Sequence, residues 1–421
     1  MPFPTIIAFA ALQTASIDPN CAAEASDQSL IENVNDGVLV HLRVKGRAAA
    51  ISGASKFPVN RDGYERLIVR FVTCAQNAGD ANSRRNYRTE SRGWVKRLFS
   101  RKLVGKVLKV SATVNPLGVS SSKPLITVTR DSGKSGDVWI TDVGNDLVLL
   151  PYFRIGDNQS VKLDITFTST RNYNISAAGT AIDIVKRAAT LLNPTGALVT
   201  SLNKDQFNQT ADFIDRTIEG LLTVSIQEQV HTESQLDGSS NPLTTMTLYA
   251  PWANDVFPNA AHVLQPLGRW EIYAEPLNGD SIFDLRSSDG QMSDYSAAAI
   301  MNFRVTEDQT LKQAITGDSS AQQARDTLLS AETGQATTDA AWTLCRAAAL
   351  RIDSLGFSPA DTGRGVWAYL TDLSLATNKR SDASTACAQL DHWPSSDEIA
   401  RIEAKPTAIA GAKSATGHKG H

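Results

Sequence analysis

Between Asp36 and about Ser169, the chain consists of short segments rich in β-branched residues. Examples are residues 38–44, 67–72, 107–114 and 161–167. The last of these alternates apolar and polar side chains, which places the apolar ones on one face of an extended strand. Gly, Asp, Asn and Ser separate the segments, and strands at such short spacing are typical of β-sandwiches and barrels. The pattern therefore predicts a β-rich domain over 21–170.

The pattern becomes helical after about residue 171. Apolar residues recur at helical spacing over 177–192 and again over 205–222, where Asp205 is placed to cap the start. These two segments predict a helical hairpin over 171–222. Strand-like segments then return at 223–227, 243–249, 268–274 and 298–305. They predict a second β-rich unit over 223–310, or the completion of the first unit with the hairpin as an insertion.

The C-terminal part of the chain is predicted to form a helical subdomain over 320–404. One helix is predicted over 338–355, because Gly356 is a typical stop at a helix C-terminus. Ser358 and Pro359 open the next helix with a capping residue followed by a proline in the first turn. The two boundaries are thus set by local sequence signals.

These segments together predict an α+β protein with β-sandwich or barrel-like units, an inserted helical hairpin and a C-terminal helical subdomain. The length of 421 residues exceeds one ordinary hydrophobic core and predicts two or three domains. Apolar residues make up 42% of the chain and charged residues 20%, which is typical of globular rather than disordered proteins. Residues 405–421 are the exception, because their small, Gly/Ala-rich composition predicts a disordered tail.

The start of the chain has the pattern of a secretory leader. Residues 2–12 form an apolar run of signal-peptide length, and a small, polar stretch follows at 13–16. This predicts a signal-like segment over 1–20, although the usual basic start is missing. The alternatives are a buried N-terminal strand and a start site inside a longer leader. Apolar runs long enough for a transmembrane helix do not occur, so no membrane span is predicted.

The cysteines bear on the compartment. Cys21 and Cys74 lie in the N-terminal part, and Cys345 and Cys387 in the C-terminal part. An even number with this spacing predicts one disulfide within each end and an oxidising compartment, periplasmic or secreted. The alternative is four reduced, buried thiols in a cytoplasmic protein. Since no CxxC or Cys/His cluster occurs, zinc is not predicted.

The most skewed part of the sequence is the basic segment, residues 84–106. It contains nine basic residues and one acid, Glu90, while the whole chain has a net charge of -3. Such a local positive field predicts an anionic partner, either another protein or a glycan or lipid surface, and the near-neutral total disfavours nucleic acid. The alternative is a solvated excursion whose charges pair with acids elsewhere. The predicted binding residues are Arg84, Arg85, Arg88, Arg92, Trp94, Lys96, Arg97 and Arg101.

Strong catalytic and cofactor motifs are missing from the sequence. It contains no GxxxxGKS/T, HExxH or GxSxG motif and no GxGxxG after a strand, and no cofactor is predicted. The fragment 279–282, which includes Asp280 and Ser281, resembles the GDSL opening of a family of serine esterases. The resemblance implies Ser281 as the nucleophile and a base in a late Asp-x-x-His. His392 is the candidate base, but Gln389 occupies the position of the aspartate; the other interpretation is an ordinary turn.

Carboxylates recur in the Ser/Gly-rich stretch 278–295. Asp280, Asp284 and Asp289 are spaced so that they are candidate ligands for calcium, which prefers hard oxygen ligands. A pair of acids in this stretch would also suit glycoside hydrolysis. The alternative is a solvated acidic loop without a metal.

The missing motifs, the paired cysteines and the leader-like start predict a non-enzymatic binding or assembly protein of a bacterial-type envelope, outside the cytoplasm. Its basic segment would contact an anionic partner. The alternative function is a secreted hydrolase of esters or glycans that uses Ser281 or the carboxylates between 280 and 294. The alternative compartment is the cytoplasm, and the sequence leaves the oligomeric state open.

Overall fold

The computed structural model describes residues 28–32, 40–46, 63–72, 104–133, 136–143, 147–156, 159–170, 198–221, 225–236, 242–251, 264–277, 281–284 and 296–404. Within these ranges the chain forms two antiparallel β-sheets and eight α-helices. The predicted mixed α+β class is therefore confirmed.

Several predicted features lie outside the described residues. They are the signal-like segment 1–20, the binding residues from Arg84 to Arg101, Cys21 and Cys74, the first hairpin helix over 177–192, Asp280, Asp289 and the tail 405–421. The corresponding interpretations stay predictions.

Eleven strands occur within the described residues. They are β1 (Gln28–Glu32), β2 (Val40–Gly46), β3 (Tyr64–Val72), β4 (Val104–Asn115), β5 (Val119–Gly133), β6 (Gly136–Val143), β7 (Leu147–Arg154), β8 (Ser160–Thr170), β9 (Ser225–Gln235), β10 (Thr244–Pro251) and β11 (Leu264–Pro276). Sheet A has six strands in the order β1-β2-β10-β11-β3-β7. Sheet B has five in the order β6-β5-β4-β8-β9.

Strand pairing joins the two ranges, 21–170 and 223–310, that were predicted as separate β-rich units. Strand β9 pairs with β8 in sheet B, while β10 pairs with β2 and β11 pairs with β3 in sheet A. The strands expected at 223–227, 243–249 and 268–274 therefore form no sheet of their own. They complete both sheets of the 21–170 range, which is the other topology left open by the sequence. The strand expected at 298–305 is wrong, because a helix covers Ala297–Met301 and is capped by the Ser296 side chain. The alternation of apolar and polar residues within a strand shows which face is buried, but not which strand lies beside it. The sequence therefore did not decide between a separate β unit and completion of the first one.

One apolar core contains residues from both sheets. The face predicted over 161–167 is buried, with Val161, Leu163 and Ile165 each 0% exposed. The same core cluster contains Leu67 of β3 and Trp270 of β11. Side chains at alternate positions thus bury one face of each sheet, as the two-residue period of a strand requires.

A helix from the predicted hairpin range lies on the β4–β5 strand pair. Helix α1 (Lys204–Leu221) is amphipathic, and it begins one residue before the predicted start. Its contacts are with β5, and its ion pair reaches β4, where Lys109 Nζ lies 2.7 Å from Asp215 Oδ1. Asn208 accepts a hydrogen bond from the Ser120 backbone N–H at 2.7 Å. Polar contacts therefore fix the position of α1 on the sheet.

Seven helices and one short 3-10 helix form the C-terminal part. They are α2 (Ala297–Met301), α3 (Leu311–Thr316), α4 (Ser319–Ser330), α5 (Gln335–Ser354), α6 (Pro359–Asp372), α7 (Thr377–Cys387), α8 (Ser396–Ala404) and the 3-10 helix Ile282–Asp284. None of the described helices combines the length and the apolar composition that crossing a membrane requires.

The capping signals correctly located the two central helices. Helix α5 ends just before Gly356, whose φ of 97° is a left-handed conformation that glycine adopts without strain. Helix α6 begins at Pro359, and the Ser358 side chain accepts a hydrogen bond from the Asp361 N–H. Local sequence signals are therefore sufficient to predict the end of α5 and the start of α6.

A disulfide between Cys345 and Cys387 links α5 to α7, and the predicted C-terminal pairing is confirmed. The cysteines are 42 residues apart in sequence and are 1% and 0% exposed. A cross-link that closes a loop of this length stabilises the fold by about 4 kcal/mol in the chain-entropy treatment. It therefore restricts the unfolded chain, and its sulfurs are shielded from solvent reductants.

Helix α6 approaches the loop after α7 very closely at Gly363. A Cβ atom at this position would lie 1.9 Å from the carbonyl oxygen of His392. His392 itself has a φ of 62°, which is unusual for a residue with a side chain. The absence of a side chain at residue 363 thus permits the packing between α6 and this loop.

Gly363→Ala should lower the free energy of unfolding by about 2 kcal/mol, because the new methyl group forces the loop backbone away from α6. The loss should exceed the roughly 1 kcal/mol that alanine gains over glycine within a helix. Urea unfolding measures the change. Gly156→Ala is the control, since its Cβ would lie 3.6 Å from the Gln159 side chain, an ordinary contact. Equal stability of the two variants would contradict the close approach.

Candidate functional site

Ser281, the predicted nucleophile, is buried directly before the 3-10 helix and is 3% exposed. Its hydroxyl donates a hydrogen bond to Asp361 Oδ1 at 2.6 Å. The hydroxyl oxygen accepts a second bond from the Phe283 N–H at 3.1 Å. The structure thus places Ser281 against the carboxylate of Asp361, which lies in the first turn of α6.

Asp361 is the centre of a buried polar cluster, called here the Asp361 centre: Tyr64, Ser281, Ile282, Asp361 and Arg364. Oδ1 accepts from Ser281 and from Arg364 Nη1, the latter at 2.7 Å. Oδ2 accepts from the Tyr64 hydroxyl and from the Ile282 N–H, both at 2.9 Å. A carboxylate offers about four lone-pair directions, so all of its acceptor capacity is used.

The Asp361 centre joins four separate elements of the fold. Tyr64 is the first residue of β3, and its hydroxyl also accepts from the Ser358 N–H at 2.6 Å. Arg364 extends the cluster to α8, because its Nε donates to Glu398 Oε1 at 2.5 Å. Burial, followed by the neighbouring Asp361 charge, raises the pKa of Tyr64, so the phenol stays protonated and continues to donate. The centre therefore connects sheet A, the 3-10 helix and two C-terminal helices.

Ser281 has a carboxylate within hydrogen-bond reach, as a general base must be, but its hydroxyl is not exposed to a substrate. Within the described residues, the hydroxyl donates to Asp361 Oδ1, and the same oxygen also accepts from Arg364 Nη1. Ser281 is 3% exposed, so a substrate reaches the hydroxyl only if the surrounding residues move. His392 lies in the loop after α7, and the structure gives no hydrogen bond between it and Ser281. The nucleophile role implied by the GDSL resemblance stays a prediction.

The predicted carboxylate site for a metal is described only in part. Asp284 is the last residue of the 3-10 helix, whereas Asp280 and Asp289 lie outside the described residues. In the part of the chain that the structure describes, no three His, Cys, Asp or Glu side chains converge on a position for a metal ion. The calcium interpretation therefore stays a prediction.

Asp361→Asn should destabilise the protein by about 3–5 kcal/mol, because it removes one charge of the buried Asp361–Arg364 pair and replaces an acceptor by a donor. Thermal and urea unfolding measure the loss. Asp353→Asn is the matched control, since its carboxylate is 56% exposed and pairs with Arg154 at the surface. That pair should contribute less than about 1 kcal/mol. Similar losses for both variants would show that the Asp361 centre is not a major stabilising contact.

A second polar cluster lies on the other face of sheet A, away from the apolar core. Arg66 and Arg70 of β3 pair in register with Glu275 and Glu271 of β11. Glu275 binds both arginines: Oε2 accepts from Arg66 Nε at 2.5 Å, and Oε1 accepts from Arg70 Nη2 at 2.9 Å. Two guanidinium groups thus converge on one carboxylate.

Two tyrosine rings support these guanidinium groups. The Arg66 guanidinium lies 5.2 Å from the ring centre of Tyr152, and the Arg70 guanidinium lies 4.9 Å from that of Tyr273. The Tyr273 hydroxyl donates to Glu271, and burial together with this carboxylate raises the pKa of Tyr273 to about 12. Six residues form what is called here the Arg66/Arg70 face: Tyr152, Arg66, Arg70, Glu271, Tyr273 and Glu275.

A third polar group lies on the outer side of sheet B. His231 of β9 pairs in register with Asp164 of β8, and its Nδ1 contacts the carboxylate. Lys162 lies 3.5 Å from the other oxygen of Asp164. His231 is 54% exposed, so the group is a solvated surface pair rather than an enclosed site.

Lys123 is a titratable group on the buried side of β5, opposite Val110 of β4. It is 4% exposed, and burial lowers its pKa to about 8. The unfolded chain binds this proton more tightly than the folded one. The protonated amine therefore destabilises the fold most below about pH 8.

The stability of the protein should rise between about pH 8 and pH 10, as folded Lys123 loses its proton before the unfolded chain does. Lys123→Met should flatten this rise, because methionine has no proton to lose over this pH range. Urea unfolding at several pH values measures both effects. Lys162→Met, a change at a lysine 46% exposed, should leave the curve as in the wild type. An unchanged slope in Lys123→Met would contradict the interpretation.

Comparison with known protein families, characterised proteins and solved structures gives no match for this chain. The two sites of the described residues that bear on function are the Asp361 centre and the Arg66/Arg70 face. Sequence analysis did not identify either: the first joins residues far apart in the chain, and the second needs the β3–β11 pairing.

Proposed function

We propose that this chain is a non-enzymatic binding or assembly protein that works outside the cytoplasm, in a bacterial-type envelope, and contacts an anionic partner. The observation that carries the proposal is the environment of Ser281. Its hydroxyl is buried and donates to a carboxylate that is paired with Arg364, which supports a structural role for the best enzymatic candidate in the sequence.

The disulfide supports the proposed compartment. Disulfides persist in oxidising surroundings and are rare in the cytoplasm, where thiols are kept reduced. Cys345 and Cys387 are both buried in the helical core, so their bond is part of the packing between α5 and α7. A structural bond of this kind is typical of secreted and periplasmic proteins.

Charge supports the proposed partner. The basic segment 84–106 follows β3 in the chain, and β3 carries Arg66 and Arg70. In a nearly neutral protein, such a local cluster of basic residues attracts anions near the cluster rather than over the whole molecule. The partner classes are an acidic protein, a glycan or lipid head groups.

The double variant Arg88→Glu with Arg92→Glu should weaken binding to anionic probes by about tenfold and flatten its salt dependence. The probes are poly-L-glutamate, polygalacturonate and phosphatidylglycerol vesicles, each titrated against labelled protein at several salt concentrations. The matched control is Arg216→Glu with Arg346→Glu, which makes the same change in charge at exposed helix positions. Equal binding by the two double variants would overturn the role of the basic segment.

Ser281→Ala separates this function from the hydrolase alternative. Under the binding function, the variant should keep its affinity for the anionic probes and lose about 1 kcal/mol of stability with the hydrogen bond. Turnover of ester or glycan substrates by the wild type that disappears in Ser281→Ala would establish the hydrolase instead. Circular dichroism checks that the variant is folded.

A further inference from the structure

We propose that the Arg66/Arg70 face is a docking surface for an acidic polypeptide segment. This inference rests on the proposed binding function and names the surface and the partner chemistry. Its basis is the way in which Arg66 and Arg70 share Glu275, together with their partial exposure.

The two arginines keep hydrogen-bonding capacity that Glu275 does not use. Each guanidinium has five N–H donors in a planar fork, and a single carboxylate has about four acceptor positions. Arg66 directs Nε and Nη2 to one oxygen of Glu275, whereas Arg70 directs Nη2 to the other. The two side chains are 36% and 47% exposed, so a ligand can reach them from solvent.

The donors are held in position before any ligand arrives. The rings of Tyr152 and Tyr273 lie under the two guanidinium groups, and the β3–β11 pairing fixes the spacing of the strands. Long, flexible side chains normally lose conformational entropy when they bind. Stacking and the shared carboxylate remove much of that freedom in the free protein.

The chemistry of the face favours carboxylates as ligands. A guanidinium fork matches a carboxylate with two parallel hydrogen bonds, which adds geometric specificity to the charge attraction. Arginine and tyrosine are also enriched at protein interfaces, where they provide planar, partly apolar contact area. Because Tyr152 is buried, the contact area available to a partner is that of Arg66, Arg70 and Tyr273.

The acids within the face determine the class of partner. Glu271 and Glu275 lie opposite the arginines, so a continuous polyanion or an anionic lipid surface would meet negative charge in each pair. An extended polypeptide avoids this, because its carboxylates point to one side only at every second residue, about 7 Å apart. Discrete, spaced carboxylates can contact the arginines without lying on the glutamates.

The experiment uses a labelled peptide of alternating glutamate and serine, with the glutamine–serine peptide as its neutral control. The full-length wild type should bind the acidic peptide at about 50 mM salt and lose affinity as the salt rises. Arg66→Gln with Arg70→Gln should weaken binding by at least about tenfold. The matched control, Arg216→Gln with Arg346→Gln, should bind as the wild type does.

Glu275→Gln gives the sharpest result, because a purely structural ion pair and a docking surface predict opposite outcomes. Removing the shared carboxylate frees both guanidinium groups, so the acidic peptide should bind more tightly by a few-fold. Thermal unfolding of each variant checks that the fold is retained. Unchanged or weaker peptide binding by a folded Glu275→Gln variant would overturn the proposal.

Three other outcomes distinguish failure of this inference from failure of the proposed function. Peptide binding that depends on Arg88 and Arg92 but not on Arg66 and Arg70 would overturn the docking surface and retain the binding function. The docking surface would also be overturned if polygalacturonate or phosphatidylglycerol vesicles bound the Arg66/Arg70 face more tightly than the peptide. Failure of every anionic probe to bind the wild type would overturn both.

Discussion

The buried carboxylate of Asp361 is the interaction on which the arrangement of the molecule depends. An ionised carboxylate without partners is very costly in a protein interior, so it needs all of its hydrogen bonds. Its donors come from Tyr64, 297 residues away in sequence, from Ser281 and Ile282, and from Arg364 on its own helix. The charge is satisfied only when β3, the 3-10 helix and α6 are all in place, so these parts stabilise one another.

Other contacts at the same boundary follow from this arrangement. Arg154 at the end of β7 donates to Asp353 Oδ1 at 2.7 Å and to the Phe357 carbonyl at 3.1 Å. Thr200 and Asn203 both donate to the carbonyl of Val305, at 3.0 and 3.2 Å. Each bond joins a residue that precedes α1 to the C-terminal part of the chain. Asp353 lies in α5, whereas Val305 and Phe357 lie in segments between helices. Hydrogen bonds between neutral groups or at the surface each contribute little to stability. The buried Asp361 charge needs all of its partners, so it favours the one arrangement of the chain in which these weaker bonds also form.

The sequence predicted the elements whose signals are local. The α6 start follows from Ser358 and Pro359, and the buried face of β8 follows from strict alternation over 161–167. Strand order is different, because alternation is the same whether β11 lies beside β3 or in a separate sheet. The Asp361 centre was missed for a related reason. In sequence, Asp361 is a favourable acid in a first helical turn, and only the tertiary fold directs it inward.

The two polar clusters on β3 show why burial decides which charges are available for binding. At Tyr64 the strand enters the Asp361 centre, where donors and acceptors are matched and no capacity remains for a ligand. Two residues later, at Arg66, the same strand presents a guanidinium that is about one-third exposed and shares its carboxylate with Arg70. The buried cluster gains stability from complete satisfaction, whereas the exposed one keeps donors that only a partner can use. We therefore assign the buried cluster to the fold and the exposed one to recognition.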